Sequence, residues 1–144
     1  MSMMTEAQAR AILEKVVKMS VADECTASLD GSTNGNIRFA RNDVSTSGIV
    51  DDVELGVSVA FGKRSGAATI NQFDDESLER CVRRAEELAR LAPENAEFMP
   101  AIDKQAYKPS DTFSASTAAI TPELRAKIAA ESIAKFGAVD VLVN

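Results

Sequence analysis

From Thr5 to about Ser20 the apolar residues Ala9, Ile12, Leu13, Val16 and Val17 recur every three or four positions, which predicts an amphipathic helix. Thr5 with Gln8 three residues later has the form of a capping box at its start. From about Glu24 the period falls to two. Cys25, Ala27 and Leu29 alternate with polar neighbours, Asp30 to Gly35 carries turn chemistry, and Ile37 and Phe39 resume the alternation, a hairpin signal. The clearest strand is Val53 to Phe61. There Val53, Leu55, Val57, Val59 and Phe61 fall on one face, and Glu54, Gly56, Ser58 and Ala60 on the other. Gly62-Lys63-Arg64-Ser65-Gly66 forms a second turn cluster, and Ala67 to Phe73 a further strand. The middle of the chain therefore reads as an antiparallel meander with one face buried.

A second helix starts at Asp74 or Asp75, either of which can cap it, and carries the stripe Leu78, Cys81, Val82, Ala85, Leu88, Ala89 and Ala92 before Pro93 stops it. Its other face holds Glu79, Arg80, Arg83, Arg84, Glu86, Glu87 and Arg90, whose mixed signs at helical spacing predict a solvated surface. All four prolines lie between positions 93 and 122 in a stretch without period, which reads as an extended connector. Thr121-Pro122-Glu123 then opens a third helix with Leu124, Ile128, Ala129, Ile133 and Phe136, closed by Gly137. Ala138 to Asn144 reads as the start of a strand, so the chain is expected to stop early in a second domain. The predicted fold is α+β: an antiparallel meander covered on one face by two helices over residues 1–92, a proline-containing connector over 93–121, and an incomplete helix–strand unit over 122–144.

Composition removes several chemistries. The 144 residues contain no histidine, so a Ser-His-Asp triad, a Cys-His dyad and every histidine metal motif are absent from this chain. Sixteen Lys and Arg against 22 Asp and Glu give a net charge of −6, which argues against direct nucleic-acid binding. Hydrophobic residues at 45% are enough to bury a core, built mostly from aliphatic side chains since there are six Phe, one Tyr and no Trp. Cys25 and Cys81, far apart and without a CxxC partner, read as buried free thiols. No run approaches a membrane span and the N-terminus has no hydrophobic signal core, so a cytoplasmic protein is expected.

The order of these elements resembles the N-terminal domain of the TldD/PmbA family, bacterial and archaeal metallopeptidases also described as modulators of DNA gyrase. The residues that carry the resemblance are Asn36-Ile37-Arg38-Phe39-Ala40-Arg41-Asn42, Leu55-Gly56-Val57-Ser58-Val59, Gly62 through Thr69, and the helix from Asp75 to Ala92. It covers about residues 5 to 100. The resemblance implies proteolysis of a peptide substrate in the full-length protein, and assembly as a homo-oligomer or as a heterodimer with a paralogue. It also implies a zinc ion held by two histidines flanking a glutamate, plus a later cysteine, in a large C-terminal part. No position here matches those ligands, so no metal, cofactor or catalytic residue is carried over. The chain is expected to be inactive alone, as the non-catalytic N-terminal portion of such an enzyme, contributing to assembly and substrate confinement.

Arg38, Arg41, Asn42 and Arg64 are the candidate substrate-binding residues: guanidinium forks and an amide near the hairpin can neutralise a peptide carboxylate or orient an extended backbone. Cations at a strand edge also simply solvate and protect it, and the meander edge itself can accept an added strand. Two other functional readings stand beside the first. One is a stand-alone binding or dimerisation module. The other is a fragment of an NAD(P)-dependent short-chain dehydrogenase, because Ile133 to Asn144 resembles the helix-to-strand segment of that family. The Gly-rich phosphate loop that family requires is absent upstream.

Overall fold

The computed structural model describes residues 4–41, 43–102, 105–106 and 108–137. Helix α1 (Glu6–Met19) precedes three strands, β1 (Glu24–Ala40), β2 (Asp43–Phe61) and β3 (Arg64–Ile70); α2 (Asp75–Leu91), a single turn α3 (Ala115–Ala118) and α4 (Pro122–Phe136) follow. The strands form one sheet in the order β1-β2-β3. The link between β1 and β2 is too short for a crossover, so they pair antiparallel, and β2 pairs antiparallel with β3 from Leu55↔Ile70 to Phe61↔Arg64. Helices packed against a three-stranded antiparallel sheet give the α+β class expected from the sequence. The strand expected over Ala138 to Asn144 lies outside the described residues.

Local chemistry sets the helix starts. Thr5 Oγ1 accepts from the Gln8 amide at 3.3 Å while Gln8 Oε1 accepts from the Thr5 amide at 2.9 Å, the reciprocal capping box. Asp74 accepts from the Ser77 amide at 2.9 Å, and that bond holds its carboxyl below the usual carboxylate range. In α4, Thr121 accepts from the Leu124 amide at 3.2 Å, Pro122 occupies the first helical position, and Gly137 ends the helix at φ 82°.

The chain forms two compact units, one from Met1–Ser32 with Asp51–Gln105 and the other from Thr33–Val50 with Ala106–Asn144. The first has a proper core. Val16 of α1, Leu55, Val57 and Val59 of β2, and Leu78, Cys81, Val82, Ala85 and Ala89 of α2 are all at most 4% exposed. Leu55, Val57 and Val59 lie on the face that the alternation over Val53–Phe61 assigns to burial, with Val53 and Phe61 half-buried; Ala60, expected on the opposite face, is buried as well. On β3, Gly66, Ala68 and Ile70 are half-buried and their alternate neighbours exposed. Gly66 marks the closest approach of sheet and helix: a Cβ there would lie 2.5 Å from the Ala85 carbonyl oxygen and 2.3 Å from the Ala89 nitrogen. The second unit is built differently. No described residue of it is fully buried, and Ile37, Phe39, Ile120 and Ile133 reach only half-burial.

Two local expectations change. Turn residues over Asp30–Gly35 predict a reversal there, whereas β1 runs straight through them and the chain reverses between Ala40 and Asp43. Glycine permits a turn but does not require one; among the described residues only Arg41, Gly62 and Gly137 have positive φ. Gly35 instead makes room within the second unit for Arg125, whose Nη2 lies 2.2 Å from where a Cβ would stand. The left-handed position falls on Arg41, φ 55°, a conformation that costs a residue with a Cβ about 1 kcal/mol. Arg41→Gly is therefore expected to slow amide exchange in the outer halves of β1 and β2 by a few-fold; unchanged or faster exchange would show that the turn is not strained.

The second change concerns Glu86. Helical spacing puts it on the solvated face of α2, but it is 1% exposed. Its Oε1 accepts from the Ser20 hydroxyl at 3.0 Å and the Val21 amide at 2.8 Å, and its Oε2 from Arg83 Nη1 at 2.6 Å. Arg83 Nη2 in turn donates to the Met19 carbonyl at 2.8 Å. The pair thus ties together the groups that follow the last turn of α1, where carbonyls and amides have no partner within the helix. Only the packing of α1 against this side of α2 turns a surface glutamate into a buried one.

Candidate functional site

The β1–β2 hairpin carries two of the four candidate residues at its tip. Arg38 is exposed on β1 between the half-buried Ile37 and Phe39, and the Ser45 hydroxyl donates to its carbonyl at 3.1 Å across the strand pair. Arg41 is exposed in the turn. Neither guanidinium has a hydrogen-bond or ion-pair partner among the described residues, so both are available to an acceptor from outside. Asn42 lies outside the described residues.

Arg64 belongs to the other unit and has partners of its own. It opens β3, and its Nη1 donates to the Arg90 carbonyl at 3.5 Å while Nη2 stands 3.5 Å from Glu94. The surrounding contacts hold the β2–β3 turn to the end of α2 and to the segment just before β1. The Asn95 amide donates to the Lys63 carbonyl at 2.9 Å, the Gly62 amide to Asp23 Oδ2 at 2.8 Å, and Arg90 sits 4.4 Å above the Phe61 ring. A cation beside the last carbonyls of a helix is favourable through the macrodipole. The half-exposed Arg64 therefore serves the turn whether or not it meets a ligand.

The two cysteines are free, Cys25 half-buried and Cys81 buried. Burial pushes both thiols up; for Cys25 the Ser20 hydroxyl works against this and the Glu86 carboxylate with it. Thiols of this kind are poor nucleophiles and poor metal ligands, since both roles need the thiolate. With no histidine in the chain, and no group of three or more Cys, Asp or Glu side chains converging among the described residues, these residues do not fit a zinc ion. Among the described residues no helix is long and apolar enough to cross a membrane. Sequence reasoning singles out the arginines by charge; it misses the Arg83–Glu86 clamp and the close approach of α2 at Gly66, both of which arise between elements that meet only in the fold.

This arrangement has known counterparts. The model of domain 1 of the PmbA/TldA metallopeptidases matches residues 26–89. In fold the chain is similar to TldE from Thermococcus kodakarensis, with a TM-score of 0.74 at 13% identity over 88% of this chain and 28% of that one. It is similar also to a candidate modulator of DNA gyrase from Bacteroides thetaiotaomicron, with a TM-score of 0.73 at 17% identity over 98% of this chain and 33% of that one. The chain therefore spans about a third or less of the length of these two structures. No curated protein sequence matches it. From Thr26 on β1 to Ala89 on α2, the chain thus matches the first domain of the PmbA/TldA metallopeptidases in sequence pattern, and its fold is the one seen in these two structures.

Proposed function

We propose that this chain does the work of the first domain in a PmbA/TldD-type metallopeptidase: it supports assembly and helps confine a peptide substrate for proteolysis, while the metal chemistry belongs to residues outside it. The observation that carries this reading is the family match over residues 26–89, which takes in the hairpin, β3 and α2. The donor set supports it, since the chain has no histidine and, among the described residues, no three Cys, Asp or Glu side chains converge to hold a catalytic metal and activate a water. Within that role Arg38 and Arg41 are the groups free to meet a peptide carboxylate, and Asn42, which follows Arg41 in the sequence, is the third candidate. Arg64 is a weaker contributor because its guanidinium already serves Arg90 and Glu94. We place the role in the cytoplasm, in keeping with an acidic chain whose two cysteines are unpaired.

Two measurements on the purified chain test this. Zinc content by mass spectrometry and hydrolysis of a mixed peptide library are both expected to be null; stoichiometric zinc with peptide cleavage would overturn the non-catalytic reading. Light scattering coupled to size exclusion is expected to show concentration-dependent self-association. A chain that stays monomeric up to roughly 1 mM, where association would be worth less than about 4 kcal/mol, would remove assembly from the proposal.

A further inference from the structure

Among the described residues of the second compact unit, several large apolar side chains are exposed. Leu124, Ile128 and Phe136 lie along one ridge of α4 and are 43%, 52% and 71% exposed, while the neighbouring ridge of Arg125, Ala129 and Ile133 is the half-buried one. Residues four apart form such ridges, and these pack against the ridges of a second helix. On the other side the exposed ridge is bordered by Glu123, Lys127, Glu131 and Lys135, all exposed. Their signs run minus, plus, minus, plus at an even spacing of four, centred on Ala129.

That order is complementary to its own reverse. In an antiparallel pair of α4 helices related by a two-fold axis near Ala129, Glu123 comes opposite Lys135 of the copy and Lys127 opposite Glu131, and both contacts occur twice. A parallel pair in register would set like charges against each other along the whole ridge. We propose that the exposed ridge of α4 is a self-association surface whose occupant is α4 of a second copy of this chain, antiparallel, with register set by these four charges. This rests on the assembly reading above and names the surface that serves it. Within one helix Lys127 and Glu131 approach to 3.7 Å, both about two-thirds exposed, a contact weak enough to exchange for one across the pair.

One helix pair buries less than a standard interface, so the complex is weak and salt-sensitive. The decisive experiment uses two charge variants of the full chain, an acidic one (K127E with K135E) and a basic one (E123K with E131K), followed by light scattering and, for the mixture, native mass spectrometry. Each variant alone is expected to associate at least tenfold more weakly than the parent chain, because every cross-helix contact becomes repulsive. The two mixed are expected to form a heterodimer at least as well as the parent forms its homodimer, an outcome that loss of helix stability or of the contact within one helix cannot imitate. Ile128→Ser, which removes apolar contact and no charge, is expected to weaken all three complexes. Variants that dimerise like the parent would overturn the α4 surface and leave the assembly reading standing. A parent chain that never dimerises overturns both.

Discussion

Gly66→Ala is expected to cost about 3 kcal/mol or more, at the upper end of what added volume does in a packed interior. Its new methyl group would stand 2.3 Å from the backbone nitrogen and 2.9 Å from the Cα of Ala89, and 2.5 Å from the carbonyl oxygen of Ala85. These are backbone atoms of a helix anchored in the core by its own Leu78, Val82 and their neighbours, so no side-chain rotation relieves the contact. The helix must lift off the sheet. Gly62→Ala is the matched control: φ is +57° there and nothing lies within 4 Å of the added carbon, so the cost is the left-handed backbone alone, about 1–2 kcal/mol. Urea unfolding of the three proteins measures both. Equal losses at the two positions would mean that α2 moves freely over β3 and that the close approach does not matter.

Removal of the Glu86 carboxylate is the second large effect. Glu86→Ala is expected to destabilise the first unit by about 3–5 kcal/mol, the range for breaking a buried charge pair from one side. It strands the Val21 amide and the Ser20 hydroxyl and leaves Arg83 only the Met19 carbonyl and the distant Glu79, 4.0 Å away. Glu86→Gln keeps the shape and some of the hydrogen bonding and should lose less, about 1–3 kcal/mol. The pH dependence separates charge from shape. Burial by itself would raise the Glu86 pKa, but the Val21 amide, the Arg83 guanidinium and the Ser20 hydroxyl outweigh it and hold the carboxyl below its ordinary value. A depressed carboxyl stabilises the fold fully above its unfolded pKa, about 4.3, and this stabilisation is lost as pH falls through the lower folded value. The parent chain should therefore lose stability in acid more steeply than Glu86→Gln below about pH 4.3. Parallel curves for the two would mean that the carboxylate charge contributes nothing.

The two effects show where legibility stops. Thr5 with Gln8, Asp74, and Thr121 with Pro122 announce their helices because a cap is satisfied by residues three positions away. Val53 to Phe61 announces its buried face because pleating has a period of two and the face is shared with no other requirement. Asp30 to Gly35 misleads for a matching reason. Turn residues permit a reversal, and whether it happens depends on the pairing available to either side, which here runs on to Ala40 and Asp43. The short α3, held by Ser114 accepting from the Thr117 amide at 3.3 Å, carries only four residues and has no apolar period to betray it. At the candidate site the arginines are visible as charges, but their division is not: Arg38 and Arg41 stay free, whereas Arg64 is taken up by the end of a helix 26 residues further along the chain.

Element type, helix caps, the buried face of the central strand and the lack of any histidine ligand can thus be read from the order of residues, because each depends on neighbours within a few positions or on composition alone. The burial of Glu86, the role of Gly66 as a contact surface and the exposed apolar ridge on α4 depend on which elements meet. A side chain more than 60 residues from its partner, as Glu86 is from Ser20 and Val21, has no local signature. Its environment is set only when the two helices and the sheet have closed around it.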